Sequence, residues 1–387
     1  MGTDKKIIEL ILERGIKNII PNKKTLNKRL QSGNKLNVYF GIDPTATKIH
    51  IGHAVPLRKL QLFVELGHNV TFLIGDFTAL IGDTSDKESE RPILTKEEIG
   101  NNFITYKDQA SKMLDFSKVK IVHNSEWLSK LTFEEILKLV QHFSVGDFVN
   151  RDLIRKRLNS GKRVRLNEAL YPAIQGYDSY HLNTDIQLGA ADQTFNMQAG
   201  RTLQKDFRKK ESFVLVTSYL MGTDGRKMSK SWGNAIWIED DPDTMFGKVM
   251  SLSDNLIEQY FTLATSIPTE EVQNKVKMAK SGPLNVKKEL AFQIVMELHS
   301  QKDARKAQNH FEKTFQKKAP SYDQKVKLKD NLLKTISQVV DSKSEAKRLI
   351  AQGAVDINHK TMTDPTLNVK VGDKIKVGSR IFLKVEN

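Results

Sequence analysis

Apolar positions in the first half of the chain fall into short runs separated by stretches with helical periodicity. Val38-Tyr39-Phe40-Gly41-Ile42 predicts a buried strand, stopped at Asp43-Pro44, where proline removes a ladder donor. Residues 53–66 follow with apolar positions at helical spacing. Val70-Thr71-Phe72-Leu73-Ile74 predicts a second strand, broken by Gly75-Asp76; residues 120–122 predict a third and residues 213–216 a later one. Thr95 with Glu98, and Thr132 with Glu135, have the spacing of capping boxes, in which hydroxyl and carboxylate satisfy each other's free backbone N–H groups. Strands alternating with helices in this way predict an α/β fold, a parallel sheet covered by helices on both faces.

The pattern then changes twice. Residues 235–320 read as almost purely helical, most clearly over 286–298. Ser342 with Glu345 opens a helix through Ile350 that Gly353 closes, and β segments follow. Residues 374–377 and 380–385, around Gly378-Ser379, predict a hairpin with a two-residue turn and alternating apolar and basic positions. Three domains are expected: residues 1–234, α/β, with a segment of about 100–165 inserted between its halves; residues 235–322, helical; and residues 327–387, a small basic α+β module.

Charge changes the picture. The 387 residues carry a formal charge of +15, which suits a polyanionic partner, a nucleic acid or a membrane surface, and equally a Lys-rich surface kept for solubility. With no Cys, disulfides and thiolate metal sites are excluded. The first helix, with Glu9, Glu13 and Arg14, has neither the apolar core of a signal peptide nor the acid-poor bias of a transit peptide. No apolar run approaches membrane-spanning length, so the cytoplasm is the expected location and no membrane partner is expected.

Two short segments carry candidate chemistry. His50-Ile51-Gly52-His53 lies between the first strand and its helix. There, free backbone N–H groups and the helix dipole favour anions, and Gly52 lets a base or ribose approach the backbone. Lys227-Met228-Ser229-Lys230-Ser231 lies in a loop flanked by Gly222, Gly225 and Gly233, and its two cations would close over a triphosphate and neutralise the leaving pyrophosphate. Chance would produce the second pentapeptide in roughly one such chain in a thousand.

In order and separation these segments resemble the paired signatures of the class I aminoacyl-tRNA synthetases. Tyr39-Phe40-Gly41-Ile42-Asp43-Pro44-Thr45, Ile81-Gly82-Asp83 with Lys87 and Arg91, the run 171–178 and Gly189-Ala190-Ala191-Asp192-Gln193 resemble the tyrosyl branch. Residues 342–385 resemble the S4 RNA-binding module that bacterial-type tyrosyl enzymes carry at their C-terminus. The resemblance implies a Rossmann-like catalytic domain, activation of L-tyrosine by ATP, transfer to tRNA(Tyr), Mg²⁺ carried with ATP rather than held in a protein metal site, and a homodimer.

It also implies roles. Tyr39 and Asp178 would meet the phenol, and a buried carboxylate deprived of that hydroxyl would penalise phenylalanine. Asp83, Tyr171 and Gln175 would hold the ammonium, with Gln193 a further tyrosine contact. Spacings of three and four place Tyr171, Gln175 and Asp178 near one helix face. Thr45 and His50 would face the phosphates, His53 and Asp192 the ribose, and Gly41, Asp43, Gly52 and Gly189 the nucleotide. Lys87, Arg91, Lys227 and Lys230 would gather on the leaving pyrophosphate, with Met228, Ser229 and Ser231 completing the loop.

One departure stands out: Ala190 stands where the family commonly has a second glycine, so its methyl either crowds the ribose or is accommodated by a slight rearrangement, the second being favoured over loss of activity. Lys343, Lys347 and Arg348 in the module, and Arg155 and Arg157 in the inserted segment, are expected to contact RNA. Phe143, Val145, Phe148 and Val149 would suit a dimer interface or the core. A tryptophanyl enzyme shares the signatures, but Tyr39 with Asp178 and the S4-like tail argue against it. An RNA-binding paralogue with a decayed site is opposed by the intact signature residues.

Overall fold

The computed structural model describes residues 2–45, 47–83, 95–229, 232–316, 322, 324–340, 342–378 and 381–386. Lys87, Arg91, Lys230 and Ser231, all expected at the site, lie outside them.

The chain opens with α1 (Gly2–Leu12), β1 (Ile16–Ile20) and α2 (Lys23–Gln31), then alternates β2 (Asn37–Ile42), α3 (Ile51–Glu65), β3 (Asn69–Ile74), α4 (Thr78–Ile81), α5 (Lys96–Ala110) and β4 (Val119–His123). Helices α6 (Ser125–Leu128), α7 (Phe133–Val140), α8 (Val145–Val149), α9 (Asp152–Asn159) and α10 (Leu166–His181) precede β5 (Ile186–Ala190), α11 (Thr194–Arg208) and β6 (Phe213–Thr217). The rest is α12 (Pro242–Met250), α13 (Ile257–Ala264), α14 (Thr269–Ala279), α15 (Pro283–Leu298) and α16 (Gln301–Phe311), followed by β7 (Gln324–Lys327), α17 (Leu332–Ile336), α18 (Lys343–Ala351), β8 (Val355–Ile357), β9 (Lys360–Met362), β10 (Lys374–Val377) and β11 (Ile381–Glu386).

Six strands form the first sheet in the order β1-β6-β5-β2-β3-β4, with only β1 antiparallel. Strand β2 runs between β3 and β5, so the chain winds one way through β3 and β4 and the other way through β5 and β6. The crevice at the carboxyl ends of β2 and β5 is the topological switch point, where open α/β sheets bind ligands. The capping boxes at Thr95 and Thr132 are formed. The strand expected near residue 120 is β4, the sheet's edge, so it belongs to the sheet although it falls within the span taken as inserted. Strands β1 and β5 were not expected from the pattern.

By internal contacts, residues 1–239 with 252–286 form one compact unit, and residues 240–251 with 287–387 form another. The helical segment is thus shared between the two, a different division from the boundaries at 234 and 322. In the first unit the Arg14 guanidinium donates to the carbonyls of Phe261 (2.9 Å), Thr262 (2.8 Å) and Thr265 (2.8 Å), satisfying the end of α13. In the second, Val326, Ala346, Ile350, Ile375, Leu383 and Val385 form the core under a sheet of order β7-β11-β10-β8-β9. The β10–β11 hairpin closes at Val377 opposite Ile381, so three residues separate the strands and not the expected two.

Residues 235–238 are not helical. Ile236 and Ile238 are buried, and the stretch pairs with the first signature through Ile51 N–H to the Ile236 carbonyl (2.9 Å) and Ile238 N–H to the Ile49 carbonyl (3.1 Å). Its β-branched residues at alternate positions favour an extended backbone. No described helix is long and apolar enough to cross a membrane.

Candidate active site

At the switch point, a cavity is lined by Tyr39, Gly41, Asp43, Thr45, His50, Gly52, His53, Asp83, Tyr171, Gln175, Asp178, Gly189, Asp192, Gln193, Lys227 and Met228. Of the described residues expected to contact tyrosine or ATP, only Ser229 is not in this lining. It sits in the loop just behind, its N–H donating to Asn234 Oδ1 at 2.8 Å.

At one end α10 turns Tyr171, Gln175 and Asp178 inward. Asp178 is 1% exposed, and its two oxygens accept from Trp127 Nε1 (2.8 Å) and Asn124 Nδ2 (3.1 Å). Burial raises its carboxyl to about 8 despite these hydrogen bonds, which favour the carboxylate. Tyr39, also buried, donates to Gln187 Oε1 at 3.3 Å; burial, reinforced by Asp178, raises its phenol, which stays protonated. Asp43 accepts from Tyr171 (2.8 Å) and from Thr78 (2.7 Å), so the Tyr171 hydroxyl assigned to an ammonium here holds Asp43. Asp83 follows Gly82, whose φ of +80° is a conformation suited to glycine, and accepts from Gln193 Nε2 at 2.7 Å. The Gln175 Oε1 atom is buried with no hydrogen-bond partner among the described residues.

At the other end the first signature opens α3. His50 N–H donates to His53 Nδ1 at 3.3 Å and the two rings lie 4.0 Å apart. His50 Nδ1 is buried without a partner among the described residues, and burial, with His53 and Lys227 nearby, lowers the ring to about 2, leaving a neutral imidazole. A Cβ at position 52 would lie 2.8 Å from that nitrogen, so glycine keeps the histidine ring in place. Lys227 Nζ lies 3.1 Å from Asp192 Oδ2 and 5.0 Å from the centre of the Tyr219 ring. Ala190 ends β5 in ordinary extended backbone, φ −78°, and lines the cavity.

Asn124, Trp127, Gln187 and Thr78 had no sequence signal: each is a polar or aromatic residue that only the fold brings to the site, Asn124 and Trp127 to Asp178, Thr78 to Asp43 and Gln187 to the Tyr39 phenol.

The expected RNA contacts divide. Lys343, Lys347 and Arg348 are exposed on α18, with Ala346 and Ile350 buried on its other side, and Arg348 pairs with Glu345 (Nε to Oε2, 3.0 Å). Arg155 is exposed and pairs with Asp152 at 2.8 Å. Arg157 is not a surface cation: at 2% exposure it forms a two-pronged pair with Glu168 (2.6 and 3.1 Å) and donates to the Arg163 carbonyl, so its charge is spent inside the fold. Of the four apolar residues considered for an interface, Phe148 is buried and Val145 is 75% exposed.

The family model for class I tRNA synthetases (W and Y) matches residues 31–316, and that for the S4 domain residues 330–375. The tyrosine–tRNA ligase of Carboxydothermus hydrogenoformans is 42% identical, over 97% of this chain and 96% of its own length. That of Thermotoga maritima is 39% identical over the same shares. A tyrosyl-tRNA synthetase from Archaeoglobus fulgidus, solved with L-tyrosine, has the same fold, with a TM-score of 0.62 at 23% identity over 79% of this chain and 99% of that one. So does the tryptophanyl-tRNA synthetase of Plasmodium falciparum, with a TM-score of 0.59 at 13% identity over 80% of this chain and 89% of that one. The fold is therefore common to both branches, and the full-length identity separates them: the chain belongs to the tyrosine–tRNA ligase family of class I tRNA synthetases and carries their α/β catalytic fold followed by an S4 domain.

Proposed function

We propose that this chain activates L-tyrosine with ATP to give tyrosyl-adenylate and pyrophosphate, and transfers the tyrosyl group to tRNA(Tyr). The observation that carries the reading is the polarity of one cavity: a buried carboxylate beside a buried phenol at one end, imidazoles, glycine backbone and a lysine at the other. In this reading the phenol of the substrate donates to Asp178, and the ammonium meets Asp83 and the open Gln175 Oε1. Its carboxylate attacks the α-phosphorus, and the bond to the pyrophosphate oxygen breaks. His50, as a neutral imidazole, donates a hydrogen bond to the phosphates, and Lys227 neutralises the leaving group together with Lys230, Lys87 and Arg91. No nucleophilic side chain is needed; positioning and charge stabilisation do the catalysis.

Lys227 and the ribose compete for Asp192, so ribose binding frees the lysine for the pyrophosphate. Mg²⁺ enters with ATP as part of the substrate. Among the described residues no group of three or more His, Asp or Glu side chains is placed to hold a metal ion.

The domains divide the work: residues 1–234 for activation, the helical segment to 322 for the anticodon arm, and residues 327–387 for RNA, with Lys343, Lys347, Arg348 and Arg155 as phosphate contacts. A homodimer in the cytoplasm completes the reading. Support for the dimer is the apolar face of α7, where Phe133 is 75% and Leu137 52% exposed, with Val145 and Leu166 also exposed. Analytical ultracentrifugation tests it: a monomer at micromolar concentration removes the dimer.

Tyrosine-dependent ATP–pyrophosphate exchange, followed by charging of tRNA(Tyr), tests the whole. Exchange with tryptophan alone would assign the tryptophanyl activity instead, and no exchange with any amino acid would leave an RNA-binding paralogue.

A further inference from the structure

Among the described residues helix α5 contributes no side chain to the cavity lining, yet one stripe of it is polar and turned to the protein interior. Asn102, Thr105 and Gln109, at spacings of three and four, share that stripe. Each grips the backbone of the segment leading into the first signature. Asn102 Nδ2 donates to the Pro44 carbonyl at 2.9 Å, and Thr105 Oγ1 donates to the Thr47 carbonyl at 2.6 Å. Gln109 does most: Nε2 donates to the Thr47 carbonyl at 2.9 Å while Oε1 accepts from Ile49 N–H at 2.8 Å. Its side-chain amide pairs with the chain as a neighbouring strand would. A second bond, to the Thr105 carbonyl at 3.1 Å, fixes the amide on its own helix, and the residue is 1% exposed.

The opposite side of the segment is held too. The Ile49 carbonyl accepts from Ile238 N–H, and Lys112 Nζ reaches the Ile238 carbonyl at 3.1 Å. The backbone that leads into His50 is therefore clamped, at Thr47 and Ile49, between a helix and the stretch that follows the second signature. A buried amide with donor and acceptor both used is costly to disturb, because either change leaves a backbone group unsatisfied.

We propose that Gln109 is a positioning residue for adenylate formation, acting through the backbone of Thr47 and Ile49 to set the adjoining His50 side chain against the phosphates. This rests on the synthetase activity proposed above. Misplacing a phosphate-binding group by about 1 Å costs on the order of a hundredfold in rate.

The test is ATP–pyrophosphate exchange with Gln109→Leu, which keeps the side chain's bulk and removes the amide, and with Thr105→Val, which removes one of the two side-chain bonds at Thr47. Gln109→Leu should lower kcat by about ten- to a hundredfold with the tyrosine KM within about twofold, and Thr105→Val should lower it by a few fold. In a His50→Ala background the same changes should have little further effect, because their route has been removed. Equal losses in both backgrounds, or a tyrosine KM rising in step with the fall in kcat, would mean a general packing role and overturn the proposal. If Gln109→Leu does not fold, the Thr105→Val cycle decides by the same criteria. Absent exchange by the unaltered chain sinks the synthetase reading and this one with it; normal exchange by both variants sinks only this one.

Discussion

The two ends of the cavity are finished to different degrees. At the tyrosine end the carboxylates already have their partners: Asp178 holds Trp127 and Asn124, Asp43 holds Tyr171 and Thr78, and Asp83 holds Gln193. The buried acceptor still open there among the described residues is Gln175 Oε1. At the nucleotide end Lys227 is engaged with Asp192, and the buried His50 Nδ1 has no partner among the described residues. A carboxylate fixed by neighbouring donors is rigid before the ligand arrives, which suits selection of one amino acid. A lysine on a borrowed partner must change partners, which suits a charge that appears only as pyrophosphate leaves.

The sharpest way to break this contrast is to remove the lysine. Lys227→Ala should slow pyrophosphate exchange by about 10²–10³, or ~3–4 kcal/mol of transition-state stabilisation, with tyrosine Kd within about twofold. Lys230→Ala, in the same signature, should move in the same direction. Tyrosine binding lost with exchange retained would reverse the assignment of the two ends. Next comes Asp178→Asn, expected to weaken tyrosine binding by ~1.5–3 kcal/mol, the range for a hydrogen bond to a charged group, with the ATP KM nearly unchanged. Trp127→Phe removes only the indole N–H from Asp178 and should cost ~1–2 kcal/mol in the same assay. A Trp127→Phe effect on ATP rather than tyrosine would mean the ends are not separately built.

These residues were not equally visible in the sequence. The first signature, the strand before it and the Tyr171–Asp178 stripe are local patterns, and each reappears in the fold where the sequence places it; of the second signature only residues 227–229 are described. Asn124 and Trp127 are contiguous with β4 and reach Asp178 only because β4 lies beside β3; a strand order is a long-range fact that no window of sequence contains. Strand β5 escaped because Ile186–Ala190 has a polar Gln187 between its two large apolar residues and two small residues at its end. Residues 235–238 escaped because an apolar run of four reads equally as strand or helix. Arg157 failed for a different reason. In sequence it is one cation in a basic cluster, and only the approach of Glu168, eleven positions on, turns it inward.

The smallest expected effect also probes the finished end, through its protonation. Burial raises Asp178 to about 8, so near pH 7 most empty sites hold a proton, and the carboxylate that accepts the phenol must first lose it. Tyrosine affinity should therefore rise about fivefold between pH 7 and 8, ~1 kcal/mol, and flatten above, with up to one proton released on binding. Fluorescence titration across that range reads the slope, and calorimetry in two buffers of different ionisation enthalpy reads the proton. For stability the sign is opposite. A carboxyl raised from 3.8 to about 8 on folding contributes most below 3.8, and its contribution is lost as pH rises through 8. Asp178→Asn should flatten both curves. An unchanged affinity slope in Asp178→Asn would place the titrating group elsewhere, and a flat wild-type profile would mean that Asp178 is already ionised in the empty pocket, held so by Trp127 and Asn124.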